Sequence, residues 1–231
     1  MLTKIKKVLY FEKQFIEYNK IATDKMRAKR SNIKRHIEDF TKLTQIEPVY
    51  FYQDAWAFEE IMKFKPSYHI DIGSHHKYVS LLSKVVPLTM IDIRPLSLEL
   101  ESIKFIKGSI LEIPFEDNTI ESLSSLCVIE HIGLGRYGDK LDPYGTEKAI
   151  QELKRVIKDN GHLYISVPIE KENVTYFNAH RAFNENYLLS FFENFTVINK
   201  KYIYGNTYSN IKKDITGIGC YHLVKNTKRS K

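Results

Sequence analysis

The sequence predicts an α/β fold organised around a nucleotide-binding βαβ unit, and three observations carry that prediction. Tyr68–Ile72 is a strand-like run that enters a glycine turn at Gly73, the pattern of a buried strand feeding a ligand-facing loop. A second run, Leu88–Ile91, ends in Asp92, nineteen residues after Gly73. An acid about 20 residues beyond such a glycine is placed to accept hydrogen bonds from ribose hydroxyls. Downstream of Asp92, strand-like runs alternate with stretches of helical period, which is how parallel strands joined by crossover helices read in sequence.

The turn narrows the ligand. A pyrophosphate-binding turn carries G-x-G-x-x-G, whereas here Ser74, His75 and His76 follow a single glycine. A nucleoside without a pyrophosphate is therefore expected, and S-adenosylmethionine meets that description. The missing glycines count against a nicotinamide dinucleotide.

With 231 residues and 43% hydrophobic content, the chain can form one full core with an appendage. Cys127 and Cys220 sit inside apolar runs without metal or disulfide spacing, so reduced core cysteines of a cytoplasmic protein are expected, and no metal site. No run reaches the ~18 apolar residues of a membrane span, and no apolar secretory segment opens the chain, so a soluble protein is expected. The net charge of +7 is uneven: residues 1–35 hold eleven Lys/Arg against three acids, and residues 225–231 hold four and none. This pattern points to a basic N-terminal arm and disfavours a basic nucleic-acid groove.

Residues 3–31 predict a helix, with Ile5, Val8, Leu9, Phe15 and Ile16 at helical spacing and Lys4, Lys6, Lys7 and Lys13 between them. Such a helix ordinarily covers the domain it precedes; contact with an anionic membrane surface, a partner subunit or RNA phosphates are the other readings. A weaker helical stretch over 36–48 ends at Pro48, after which Asp54 is expected to cap a helix from Ala55 to Met62. The chain thus divides into a basic helical extension (1–53), a ligand-binding domain (54–225) and a basic tail (226–231). Beyond Asp92 come a helical stretch around 96–102, a strand at 104–106, the turn Gly108–Ile110, and a strand Ile120–Ile129 that ends at Glu130 and His131. Residues 132–145, rich in glycine, form a long loop at the carboxyl end of that strand, where open α/β sheets bind ligands. Thr146 is expected to cap a helix that Asp159-Asn160-Gly161 stops. His162–Pro168 reads as the fifth strand and Asn178–Arg181 as another loop; Asn184 starts a helix, and Thr196–Tyr204 with Gly217–Val224 closes an antiparallel pair.

Over roughly residues 54–225 the chain resembles the class I S-adenosylmethionine-dependent methyltransferases. The matching pieces are Asp71-Ile72-Gly73, Asp92, the run Gly108–Asn118 and the run Glu152–Gly161. Val128–Tyr144 and Asn178–Arg181 are also similar to members associated with bacterial surface-polysaccharide synthesis. The resemblance implies a Rossmann-like fold with a mostly parallel seven-stranded sheet and a terminal antiparallel strand. It implies S-adenosyl-L-methionine as cofactor, held by Asp71, Gly73, Ser74, Asp92, Ile93, Ser109, Ile110 and Val128. The family's later glycines are absent, and Ser109 replaces its adenine-contacting aspartate.

Methyl transfer from a sulfonium asks for an aligned acceptor and a proton sink. His131, directly after a strand, suits the base, with an ordinary pKa of about 6.5; a hydrogen bond within its own loop is the alternative. His180 is the second candidate, with Arg181 beside it closing over substrate. Glu130, Tyr137 and Asp139 are candidate contacts for a hydroxyl-rich acceptor, such as a sugar or glycan precursor. Two classes of function stay open: a methyltransferase on a sugar, glycan precursor or related small metabolite, and a cofactor-binding partner or sensor without catalysis.

Overall fold

In a computed structural model, residues 4–227 are described. The chain forms two compact units, Met1–Ile46 and Glu47–Lys231. Of the basic tail expected over 226–231, residues 228–231 lie outside the described residues.

In the first unit, helix α1 (Lys4–Ile21) stops well before residue 31. Asn19 explains the early end, because its amide oxygen accepts from the Ala28 N–H at 2.8 Å and its amide donates to the Ala28 carbonyl at 3.1 Å. Those bonds turn the chain back along the helix. Glu12 then takes the guanidinium groups of Arg30 and Arg35 at 3.0 and 3.1 Å, and these arginines lie over the rings of Phe15 and Phe11. The helix expected over 36–48 is absent; turns and extended chain occupy that stretch.

The second unit opens with α2 (Pro48–Phe64), and here a proline read as a stop is a start. Proline's missing N–H and fixed φ suit the first helical turn, and the Glu47 carboxylate caps it by accepting from the Tyr50 N–H at 2.7 Å. Asp54 lies inside this helix, so the cap expected there is corrected. The remaining elements run β1 (His69–Ile72), α3 (His76–Leu82), β2 (Leu88–Asp92), β3 (Ile103–Lys107), β4 (Ile120–Leu126), α4 (Gly145–Val156), β5 (Ile157–Ile169), β6 (Val174–Tyr176), β7 (His180–Ala182), α5 (Glu185–Ser190), β8 (Phe195–Tyr204), β9 (Thr207–Ser209) and β10 (Gly217–Lys225). No helix forms over 96–102: Leu96, Leu98 and Leu100 fall two apart, so no helical face gathers them. Asp159–Gly161 does not stop α4; it forms an irregularity near the start of β5, with Asn160 at φ 58°. A Cβ on Gly161 would come within 2.7 Å of the Lys158 carbonyl. The loop expected at 178–181 is half of a small ribbon, β6 paired with β7.

The main sheet is ordered β3-β2-β1-β4-β5-β10-β8-β9. The first five strands are parallel, and β10 is antiparallel to both β5 and β8. It has eight strands rather than seven, because the short β9 returns from β8 as a hairpin. This is the Rossmann-like class I methyltransferase fold. On one face Ile150, Leu153 and Val156 of α4 pack with Leu123 and Leu163; on the other, Trp56 and Ile61 of α2 and Leu82 of α3 pack with Leu88, Met90 and Leu126. Each buried branched side chain contributes roughly 1.5–3 kcal/mol. Among the described residues, no helix is long and apolar enough to cross a membrane.

Candidate active site

From β1 the chain steps outward to β2 and then β3, whereas β4 and β5 lie on the other side of β1. That reversal opens a crevice at the carboxyl ends of the strands, where ligands bind in such sheets. A cleft with about 680 Å³ of space, its open mouth included, sits there. Its walls include Gly73, Asp92, Ile93, Ser109, Ile110 and Val128, with His131, Tyr137 and Asp139 toward the long loop.

Gly73 has φ +69°, and a Cβ there would lie 3.2 Å from Val128 Cγ1 and 3.9 Å from Asp92 Oδ2. The absent side chain keeps the Asp92 carboxylate open to the cleft. Asp92 Oδ1 accepts from the Arg94 N–H at 2.8 Å, which fixes the rotamer and leaves Oδ2 facing Gly73. Ser109 uses its Oγ to accept from the Leu111 N–H at 3.1 Å, holding the turn whose Ile110 and Leu111 side chains wall the cleft.

Asp71 and Ser74 are placed differently from the expectation. Asp71 is buried behind the cleft, where its carboxylate accepts from the Ser74 N–H at 3.1 Å and the Ser124 hydroxyl at 2.5 Å. Burial raises its pKa to about 6, against the pull of those hydrogen bonds. Ser74 Oγ in turn accepts from the Leu126 N–H at 3.0 Å. The pair ties the β1–α3 turn to β4 and does not line the cleft.

Cys127, at φ 52°, kinks the chain beyond β4 into a 3-10 turn over Ile129–His131. Glu130 is 1% exposed and its Oε2 has no hydrogen-bond partner among the described residues. Burial pushes its pKa up to about 8, so it carries a proton at neutral pH. His131 donates from Nδ1 to the Ala179 carbonyl at 2.6 Å, an oxygen that Arg136 also engages at 3.0 Å. Burial lowers the pKa of His131 to about 4, opposed by that hydrogen bond and assisted by the Arg136 charge. The expected unperturbed histidine is corrected: this imidazole is neutral, with its lone pair on Nε2, 3.6 Å from Glu130 Oε1.

Tyr137 lies between Arg94 and Arg136, whose guanidinium carbons are 4.4 and 5.2 Å from its ring centre, and it meets the His131 ring edge-on. Asp139 lines the cleft, yet its carboxylate is committed to the loop, accepting from the N–H groups of Gly133 and Tyr137 at 2.7 and 3.2 Å. Arg181 points elsewhere. Its guanidinium donates to the carbonyls of Ile132 and Asp142 and to Thr146 Oγ, at 2.6, 3.2 and 3.1 Å, so it pins the loop rather than closing over substrate. His180 meets the Tyr176 ring at a tilt, with ring centres 5.0 Å apart, and does not line the cleft.

Sequence reasoning passed over Arg94 and Gln53. Arg94 follows the strand-end acid by two residues, a signal that was present. Gln53, fully buried, accepts from Cys127 Sγ at 3.1 Å and from the Ser166 hydroxyl at 2.8 Å; nothing in its local pattern distinguishes it from a surface helix residue. Among the described residues, no cluster of three or more His, Cys, Asp or Glu is arranged to hold a metal ion.

Residues 99–215 match a family described as "Caenorhabditis protein of unknown function, DUF268". The chain belongs to the DUF268 family. The matched stretch contains the Glu130–His131 turn and the long loop, while Gly73 and Asp92 precede it. No curated protein matches this DUF268 chain in sequence. Solved structures do match its fold. N-methyltransferase NodS from Bradyrhizobium japonicum, in complex with S-adenosylhomocysteine, is similar at 14% identity and a TM-score of 0.57, over 78% of this chain and 88% of that one. A 1,6-didemethyltoxoflavin-N1-methyltransferase from Burkholderia thailandensis, also with S-adenosylhomocysteine, matches at 11% identity and a TM-score of 0.56, over 98% and 92%. The 4+2 cyclase SpnF matches at 11% identity and a TM-score of 0.55, over 75% and 81%.

Proposed function

We propose that this DUF268 chain is an S-adenosylmethionine-dependent methyltransferase. The observation that carries the reading is the pairing of Asp92 Oδ2, open across Gly73, with the apolar walls Ile93, Ile110 and Val128. A carboxylate beside an apolar slot suits a nucleoside: the acid accepts from two ribose hydroxyls, and the slot takes the base. No glycine-rich nest for a pyrophosphate is present in the β1–α3 turn, which Asp71 and Ser74 brace instead. The similar structures holding S-adenosylhomocysteine support the same ligand.

When bound, that cofactor supplies a methyl group on a positively charged sulfur. The chain's part is then to place an acceptor and receive its proton. His131 Nε2, neutral and unprotonated, accepts a hydrogen bond from the acceptor and so directs an oxygen or nitrogen lone pair at the methyl; the Ala179 carbonyl holds the ring by Nδ1. Its pKa of about 4 makes it a weak base in the resting site, so orientation precedes proton acceptance. The rings and guanidinium groups around Tyr137 favour a flat or hydroxyl-bearing acceptor, and a sugar, glycan precursor or related small metabolite is the class proposed. Glu130 is buried outside the cleft lining, and its proton keeps negative charge away from His131 Nε2, 3.6 Å from its Oε1.

Calorimetry with S-adenosylhomocysteine and with NAD tests the reading. Binding of the first and not the second is expected; binding of neither removes it. A cofactor bound without methyl transfer to any of a broad panel of sugars, nucleotide sugars and amines would favour a sensor or partner.

A further inference from the structure

We propose that the first unit docks the protein on an anionic lipid surface through the outer face of α1. The inner face of that helix is already occupied. Phe11, Glu12 and Phe15 meet Arg30 and Arg35, Lys7 pairs with Glu38 at 2.6 Å, and Tyr10 stacks on Phe40. Among the described residues of the first unit, the outer face has no such cover. Ile5, Leu9 and Ile16 are 73, 64 and 48% exposed, and at 3.6 residues per turn they fall within about 40° of one another. Lys6, Lys13 and Lys20 form a second strip of about the same width directly beside the first. All three lysines are exposed, and among the described residues Lys13 is joined only to the exposed Glu17 at 3.8 Å.

Charge identifies the occupant. Residues 1–46 hold twelve Lys/Arg against five Asp/Glu, a surplus of seven that equals the net charge of the whole chain. The second unit is balanced, so the attraction to an anion is concentrated where the apolar strip lies. An apolar strip edged by lysines is what a helix lying in a headgroup layer presents, with branched side chains in the acyl boundary and ammonium groups at the phosphates. Three side chains are far too few for a stable second-copy interface, which buries about 800 Å² on each partner. RNA phosphates would use the lysines and leave the apolar strip in water.

The test is co-sedimentation of the full chain with vesicles of phosphatidylcholine alone and of phosphatidylcholine with phosphatidylserine. Binding is expected only to the second, and it should fall as salt rises. Leu9→Glu with Ile16→Glu should abolish it. Lys6→Glu, Lys13→Glu and Lys20→Glu together leave the apolar strip intact and should weaken it by at least about a hundredfold, at about fivefold per lysine. Circular dichroism checks the fold of each variant, and the lysine variant keeps the question decidable should the apolar one unfold. Equal binding to both vesicle types, undiminished binding of the lysine variant, no vesicle binding, or a concentration-dependent dimer or an RNA complex in place of vesicle binding would overturn the proposal.

Discussion

At the scale of single residues, the site depends on a few groups held away from their ordinary chemistry. Asp92 offers one free oxygen because Arg94 occupies the other. Asp92→Ala should weaken S-adenosylhomocysteine binding by about 1.5–3 kcal/mol, the usual worth of a hydrogen bond to a charge; unchanged affinity in a folded variant would refute its role. His131→Asn should lower methyl transfer by about two to four orders of magnitude while cofactor affinity stays level. Steady-state rates on whichever acceptor the panel identifies check this. Glu130 makes a separate prediction about pH. Its folded pKa of about 8 stands above its ordinary 4.5, so between those values the folded chain holds a proton that the unfolded chain has released. Stability therefore falls as pH rises through that window. Asp54 at about 7 and Asp71 at about 6 act the same way lower down, whereas His131, lowered from 6.5 to about 4, makes stability rise across its own window. Above pH 7 the Glu130 contribution persists, so Glu130→Gln should flatten the decline in unfolding midpoint between pH 7 and 8. An undiminished slope in the variant would place the titrating group elsewhere.

At the scale of elements, the long loop after β4 is pinned from outside by the ribbon β6–β7. Arg181 satisfies the loop carbonyls of Ile132, Asp142 and Pro143 together with Thr146 Oγ. Arg181→Met should strand those acceptors and lower stability by roughly 2–4 kcal/mol, with faster proteolytic cleavage between 132 and 145. Resistance to protease equal to wild type would mean that the loop holds itself. The same elements show what was legible in sequence. Gly73 and Asp92 were visible because a positive φ and a strand-end acid each demand a residue type at a fixed spacing. His131 was placed from strand β4 alone. The error at Arg181 has a physical cause: a guanidinium that binds substrate and one that binds backbone carbonyls look alike in sequence, and only the ribbon's return across the loop separates them. Pro48 was misread similarly, since proline ends one helix and begins another with the same chemistry.

At the scale of the molecule, all the residues lining the cleft belong to the second unit. Deleting residues 1–46 should leave S-adenosylhomocysteine affinity within about threefold, as for sites with no shared partners; lost binding in a truncated protein of native circular dichroism would place the first unit in the site. The sheet order has another consequence, for synthesis. The last strand in the sequence, β10, does not sit at the margin; it lies between β5 and β8. Until residues 217–225 have left the ribosome, β5 presents a bare row of backbone donors and acceptors, and the β8–β9 hairpin has nothing to join. Nascent chains at that stage expose an open strand edge of the kind that seeds association between molecules. Premature termination anywhere before β10 should therefore give insoluble product rather than a smaller folded protein.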